Sequence, residues 1–287
     1  MVGILSVQLG AAIAKGLFGE ISPTAMVWLR LVTSALVLAA VARPRFTGRT
    51  QRDWLVVLGF GASLATMNWA IYQSFSRIPL GIAVTIEFIG PLSLALLGSR
   101  RARDLLWVLL AAIGVALLGF QRTGLDLVGV AYALLAGAAW AAYILLSAST
   151  GRRWAGFDGL AVASILAAVA MTLPALLSAG TSLWDGRVLL IGALVGLLSS
   201  VIPYSCELVA LRSLRPAVFG ILMSLEPAAA ALAAIVVLQE HLSPLQWLAI
   251  GCVVAASIGA TRSGANPSEP RGRHDDDHSA AHGTLAT

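Results

Sequence analysis

Ten apolar runs, each near the length of a membrane span and parted by short polar connections, leave this chain few ways to fold. They cover 2–18, 24–41, 54–73, 79–98, 104–120, 127–147, 158–178, 187–210, 216–238 and 244–261. A helix needs about 20 mostly apolar residues to cross a hydrocarbon core of about 30 Å. The runs are continuous rather than alternating, which fits helical spans and not the strands of a membrane barrel. Only 11% of the residues are charged against 58% hydrophobic, where soluble domains carry about 25% charged. An all-α integral membrane protein of ten transmembrane helices follows, with sequence neighbours paired as antiparallel hairpins.

The net charge is +5, but the arginines are spread over short loops and form no basic patch, so no nucleic-acid partner is expected. With the N-terminus placed in the cytoplasm, the inner loops and tail hold Arg43, Arg45, Arg49, Arg52, Arg100, Arg101, Arg103, Arg152, Arg153, Arg212, Arg215, Arg262, Arg271 and Arg273. The outer loops hold Arg77, Arg122 and Arg187 alone. This bias predicts both termini inside. The first run starts at Met1 with no basic leader or A-x-A-like cleavage site, so no signal peptide is expected and a start further upstream stays open. Cys206 and Cys252 fall in apolar runs and read as packing residues. The polar tail 263–287 reads as a disordered cytoplasmic segment, and its HDDDH stretch as solvated rather than metal-binding.

The chain carries an internal repeat. SRIPLGIAVTIEFIGPLSLALLGSR in the first half matches SLRPAVFGILMSLEPAAAALAAIVV in the second. Pro79 and Pro91 correspond to Pro216 and Pro227, and each half sets a glutamate before its second proline, Glu87 and Glu226. Proline suits a helix start, as at Pro79 and Pro216, and bends a helix interior, as expected at Pro91, Pro227 and Pro203. With five spans per half, the halves 1–121 and 127–262 enter the membrane from opposite sides, an inverted repeat. Such repeats set their binding site near the midplane, at interrupted helices. Glu87 lies eight residues past Pro79, about 12 Å deep. Glu226 lies ten past Pro216, about 15 Å deep from the other face.

The stretches PYSCELVAL, GILMSLEPA and LQEHLSPLQWLAIG, with AKGLF at 14–18 and EFIGPLSLAL at 87–96, resemble the EamA domains of the drug/metabolite transporter superfamily, in its threonine/homoserine exporter branch. The resemblance covers nearly the whole chain except the tail. It implies two inverted five-helix repeats around a central cavity, with the fifth and tenth helices at the periphery. It also implies proton-driven export of small amphiphilic metabolites across a bacterial inner membrane, with no cofactor. One departure is Gln239, where the family usually carries Gly before the glutamate, and a change of local turn geometry is expected there.

A charge at a helix centre costs about 2.5–3.5 kcal/mol to insert, so Glu87 and Glu226 are expected to face the bundle interior, as proton-coupling or substrate groups. Glu207, four residues after Pro203, divides between an ion pair with Arg212 or Arg215 and a cavity role. Lys15 and Arg30 lie toward the outer ends of their spans, where snorkelling or pairing with Glu20 is expected. Lys15 is also a candidate for holding an amino acid's α-carboxylate. Asn68 and Tyr72 share a helix face and join the cavity set with Tyr204. Gln8, Gln73, Trp140 and Tyr143 are weaker candidates, and Glu240 reads as a solvated helix end. Small residues every fourth position, at Gly192 and Gly196, at Ala133, Gly137 and Ala141, and at Gly251, Ala255 and Gly259, read as close helix contacts.

The expected function is export of threonine- or homoserine-like amino acids in exchange for protons, by alternating access. An enzyme is disfavoured, because no span holds a histidine and no H-E-x-x-H is present. A facilitator, or an exporter of another metabolite or drug on the same fold, is the rival. The partners are a small substrate, protons and the bilayer; a homodimer remains open.

Overall fold

The computed structural model describes residues 2–97, 104–119, 126–203, 206 and 222–264. These are helical throughout, with no strand among the described residues: α1 Val2–Gly16, α2 Pro23–Ala42, α3 Gln51–Phe75, α4 Leu80–Glu87, α5 Ile89–Leu97, α6 Asp104–Gly119, α7 Leu127–Gly151, α8 Asp158–Ala179, α9 Gly186–Gly196, α10 Glu226–Leu238 and α11 Pro244–Gly264. A 3-10 turn, Gly180–Trp184, precedes α9, and a π-helical turn, Leu197–Val201, follows it. Five helices, Pro23–Ala42, Gln51–Phe75, Leu127–Gly151, Asp158–Ala179 and Pro244–Arg262, are long and apolar enough to cross a membrane; Val2–Gly16, Leu80–Leu94, Gly186–Val201 and Glu226–Leu238 are shorter apolar segments.

Local chemistry marks the helix ends. The Ser22 hydroxyl accepts from Ala25 N–H ahead of Pro23, and Thr50 with Asp53 forms a reciprocal capping box at the start of α3. Asp126 and Asp185 cap α7 and α9. Each side chain supplies an acceptor to an N–H that the helix leaves unpaired.

The helices close a ring: α1 packs on α10, α10 on α4, α4 on α7, α7 on α3, α3 on α8, α8 on α2, α2 on α9 and α9 on α1. The pair α6 and α11 stands outside it, with α11 resting on α4, α5 and α10. This is the peripheral place expected of the fifth and tenth spans. Leu36, Ile113, Val169, Leu177, Leu190 and Val236 point outward, as spans bounded by lipid require.

Ion pairs sort the loops into two ends. At one, Arg49 meets Asp158 at 3.6 Å and Arg153 meets Asp53 at 3.1 Å, with the Arg49 guanidinium 4.2 Å from the Trp154 ring centre. At the other, Glu20 meets Arg187 at 3.3 Å and Lys15 meets Glu240 at 2.6 Å. Glu20 therefore pairs with neither Lys15 nor Arg30.

Two prolines expected to bend helices instead open new ones. The chain breaks at Phe88, and Pro91 sits in the first turn of α5. It turns again at Ser224 and Leu225, and Pro227 lies at the start of α10. A first turn has no N–H bond for proline to lose, so both breaks fall ahead of the proline rather than at it. Pro203 lies two residues past the end of the π-helical turn at Val201.

Small-residue packing holds at Gly192 against Leu29, at Gly196 against Thr33 and at Gly137 against Glu87 and Gly90. On α11 the expected seam holds only at Gly259, which packs against Trp107. Gly251 has open space around it and Ala255 is exposed, while Val253, Ala256 and Ala260 are buried.

Gln239 ends α10 at φ 54°, in the left-handed region, and its N–H donates to Ala234 O. Glycine is the default residue in that C-terminal position. The left-handed conformation costs an L-residue about 1–2 kcal/mol, so Gln239→Gly is expected to raise stability by about 1 kcal/mol, read as a higher unfolding midpoint in detergent. An unchanged or lower midpoint would show that the Gln239 side chain, which donates to Val236 O, offsets the strain.

Candidate functional site

Glu87 is the last residue of α4, at the break, and is 8% exposed. Pro91 lacks the N–H that would reach Glu87 O four residues back, so this carbonyl has no helical donor. It turns toward Gly137 on α7, where a methyl group would stand 2.5 Å from the oxygen. Phe88, the break residue, packs edge-on against Trp140 at 5.5 Å between ring centres. The sequence candidate Trp140 thus supports the break from α7.

The second break works by the same economy. Pro203 leaves two carbonyls without donors, Ser199 O in α register and Leu198 O in π register. Each is taken by a side chain from another helix. The Arg30 guanidinium donates to Ser199 O at 2.8 Å from Nη2 and to Ser200 Oγ at 3.1 Å from Nε, and Ser6 Oγ donates to Leu198 O at 2.7 Å. The Ser199 hydroxyl rests against Gly10 of α1. A π-helical turn inside a span is a frequent mark of a functional site.

Arg30 does not snorkel. It is 7% exposed, and its guanidinium carbon stands 5.6 Å from the centre of the Tyr72 ring. Tyr72 is fully buried between Phe18 and Phe75, and its hydroxyl has no hydrogen-bond partner among the described residues. The structure therefore gathers Tyr72, Arg30 and the Ser199–Ser200 turn. Of these, the sequence reading held Tyr72 and missed Arg30. The only sequence signal for it was an arginine in an apolar run, and nothing local says which way it faces.

Glu226 opens α10 and is 7% exposed; a carboxylate there also complements the helix dipole. Helices α4 and α10 run antiparallel, since Glu240, just past the end of α10, accepts from Leu80 N–H at the start of α4. They touch at Gly81 and Ala231. Counting along each helix, Glu87 lies about 9 Å and Glu226 about 7.5 Å beyond that contact, at the same level. Ser224, at the turn before Glu226, shares a hydrogen bond of 2.6 Å with Ser257 of α11.

Lys15 is committed away from these groups. Its Nζ donates to Ile78 O at 2.8 Å and pairs with Glu240, whose other oxygen caps α4. Glu240 is thus no solvated helix end: it ties α1, α4 and α10 together at the end where α1 finishes. Asn68 is buried and donates to Leu64 O of its own helix, while Gln73 donates to Thr24. Tyr143 lines a separate cavity of about 130 Å³ with Phe60, Ser147, Thr150 and Trp154 at the Arg49 end. Glu207 and Tyr204 lie outside the described residues. Among the described residues no cluster of His, Cys, Asp or Glu is fit to hold a metal ion.

Comparison with known proteins agrees with this architecture. The model of the EamA-like transporter family matches residues 127–262. The threonine/homoserine exporter RhtA of Escherichia coli (strain K12) is 41% identical over 264 residues, covering 91% of this chain and 89% of its own. The RhtA exporter of Salmonella typhimurium (strain LT2) is 40% identical over 267 residues, with the same coverage. One protein of known crystal structure superposes with a TM-score of 0.66 over 92% of this chain and 96% of its own; at 19% identity it speaks to the fold alone. With identity this high across nearly all of the chain, on an all-helical frame with span-length apolar helices, the chain belongs to the EamA-like transporter family and is a multi-pass membrane protein related to the threonine/homoserine exporters.

Proposed function

We propose that the chain exports small amino acids of the threonine and homoserine type from the cytoplasm, exchanging them for protons by alternating access. The observation that carries the reading is Glu87, a carboxyl buried at a helix break, in a relative of curated exporters. A protonatable group at an interrupted helix can load from one side and unload to the other as the helices on either side of the break move. The matching level of Glu226, at a second break with its own proline, supports two repeats, 1–121 and 127–262, set in opposite sense. The arginine bias of the loops supports both termini in the cytoplasm, and the bacterial relatives support the inner membrane.

Alternating access needs contacts at each end that can part. The Lys15–Glu240–Leu80 clasp joins α1 and α4 to the end of α10, and so joins the two proposed repeats at the end assigned to the outside. At the other end, the Arg49 and Arg153 pairs bind the α2–α3 loop to the α7–α8 loop.

Cells overproducing the chain are expected to grow in otherwise toxic threonine or homoserine and to release preloaded labelled threonine faster than control cells. If neither growth nor efflux responds to any amino acid, while another metabolite or a drug is extruded, the cargo assignment fails. If threonine efflux persists unchanged with the proton gradient collapsed, the chain is a facilitator.

A further inference from the structure

We propose that Arg30 is the residue that holds the substrate's α-carboxylate, with the Tyr72 hydroxyl as its second donor. The proposal deepens the export reading and rests on it for the identity of the cargo.

A guanidinium has five N–H donors and cannot shed its charge. Arg30 uses two of its nitrogens, on Ser200 Oγ and Ser199 O. Neither acceptor is an anion, and among the described residues no carboxylate comes within ion-pair distance of it. Burying a cation so incompletely compensated is expensive. Capping a carbonyl does not require it, since Ser6 caps the neighbouring Leu198 O with a neutral hydroxyl. The Tyr72 ring centre stands 5.6 Å from the guanidinium carbon, and its buried hydroxyl is unpartnered among the described residues; an unsatisfied buried donor is a second cost with no return in the empty protein. Both costs are relieved together by one ligand group, a planar anion with two acceptor oxygens. The guanidinium fork matches a carboxylate in shape and can bond it in bidentate fashion. The role expected of Lys15 from sequence thus passes to Arg30, because Lys15 already has Glu240.

The test uses the full-length purified chain. Ligand-dependent shifts of the unfolding midpoint are measured with threonine, threonine methyl ester and threonine amide, and labelled-threonine counterflow in liposomes is measured with the same competitors. The wild-type chain is expected to prefer the acid over the ester and the amide. Arg30→Gln is expected to weaken threonine binding on the order of 100-fold and to erase that preference, with Arg30→Lys intermediate because it keeps charge without the fork. Because Arg30 also caps Ser199 O, its variants risk misfolding, and Tyr72→Phe covers that case. It removes a hydroxyl that bonds nothing in the empty protein, so the ligand-free midpoint should hold or rise while threonine binding falls by about tenfold. Acid preference retained in folded Arg30 variants, or a Tyr72→Phe chain with unchanged threonine binding, overturns the proposal even where wild-type export is intact. A wild-type chain that binds the acid over the ester but moves no amino acid supports the Arg30 assignment and overturns the export reading. A chain that neither binds nor moves any amino acid overturns both.

Discussion

In vesicles with a one-unit pH gradient, acid on the extracellular side, the wild-type chain is expected to hold threonine about tenfold out of balance, because one pH unit supplies 1.36 kcal/mol per proton exchanged. Glu87→Gln is expected to abolish that imbalance while leaving threonine counterflow measurable. Glutamine keeps the size of the side chain and its hydrogen-bonding reach, so what it removes is the proton. It also changes a buried group at the helix break, where the new amide has to find its own hydrogen-bond partners. Some loss of stability should accompany the loss of coupling, and the unfolding midpoint must be read beside the transport. Glu226→Gln is the parallel test, since Glu226 lies at the same level on the facing helix. If both variants keep the full gradient-driven imbalance, the carboxyls fasten helices and carry no protons. If only one loses it, that residue is the coupling site, and the other serves packing or substrate.

The apolar spans and the carboxylate at the first break were legible because each is a local signal, whereas the helices pack mainly on partners that are not their sequence neighbours. An apolar run of fixed length states a helix, and a glutamate four residues before a proline inside such a run marks a place where the helix cannot continue unchanged. What was not legible is partner choice over long separations. Lys15 and Glu240 lie at opposite ends of the sequence and meet at 2.6 Å. Arg30 reads as a snorkelling side chain near a span end, and only the approach of the turn at Ser199 and Ser200 turns it inward. Pro203 announced a disturbance in its span, but which side chains would satisfy the freed carbonyls was decided by α1 and α2.

Helix faces show the same limit. A four-residue repeat of small side chains on α11 points to Gly251, Ala255 and Gly259, yet of these only Gly259 is packed, and the buried line adds Val253, Ala256 and Ala260. The face was set by where α6 packs, which a periodic pattern in an all-apolar helix does not encode, because no polar face opposes it. Gln239 is the contrary case. There a single departure from the family pattern falls on a left-handed residue, and glutamine holds the conformation that glycine takes by default.

Substituting Gly137 by Val is expected to be the most damaging change to the fold. Gly137 faces the Glu87 carbonyl and the backbone of Gly90, and Gly90 in turn faces the Gly137 carbonyl. Both sides of this crossing are backbone, so no flexible side chain can move aside. Overpacking a core costs typically 1–3 kcal/mol, occasionally more, and a crossing with no room to relax belongs at the upper end. Against a total stability of about 5–15 kcal/mol, Gly137→Val should sharply reduce the yield of folded protein, with Gly90→Ala damaging in the same direction, since its methyl group would meet the Gly137 backbone. The consequence reaches function, because this crossing fixes the break at Phe88 and hence the aim of Glu87. Gly90→Ala chains that still fold should therefore lose proton coupling before they lose threonine binding, since Arg30 and Tyr72 lie on α2 and α3, away from the crossing. Gly251→Ala is the control. With open space around it, alanine should be neutral or stabilise α11 by about 0.5–1 kcal/mol. A Gly137→Val chain as stable as that control would mean that α5 and α7 separate without cost, and the break would then need another support.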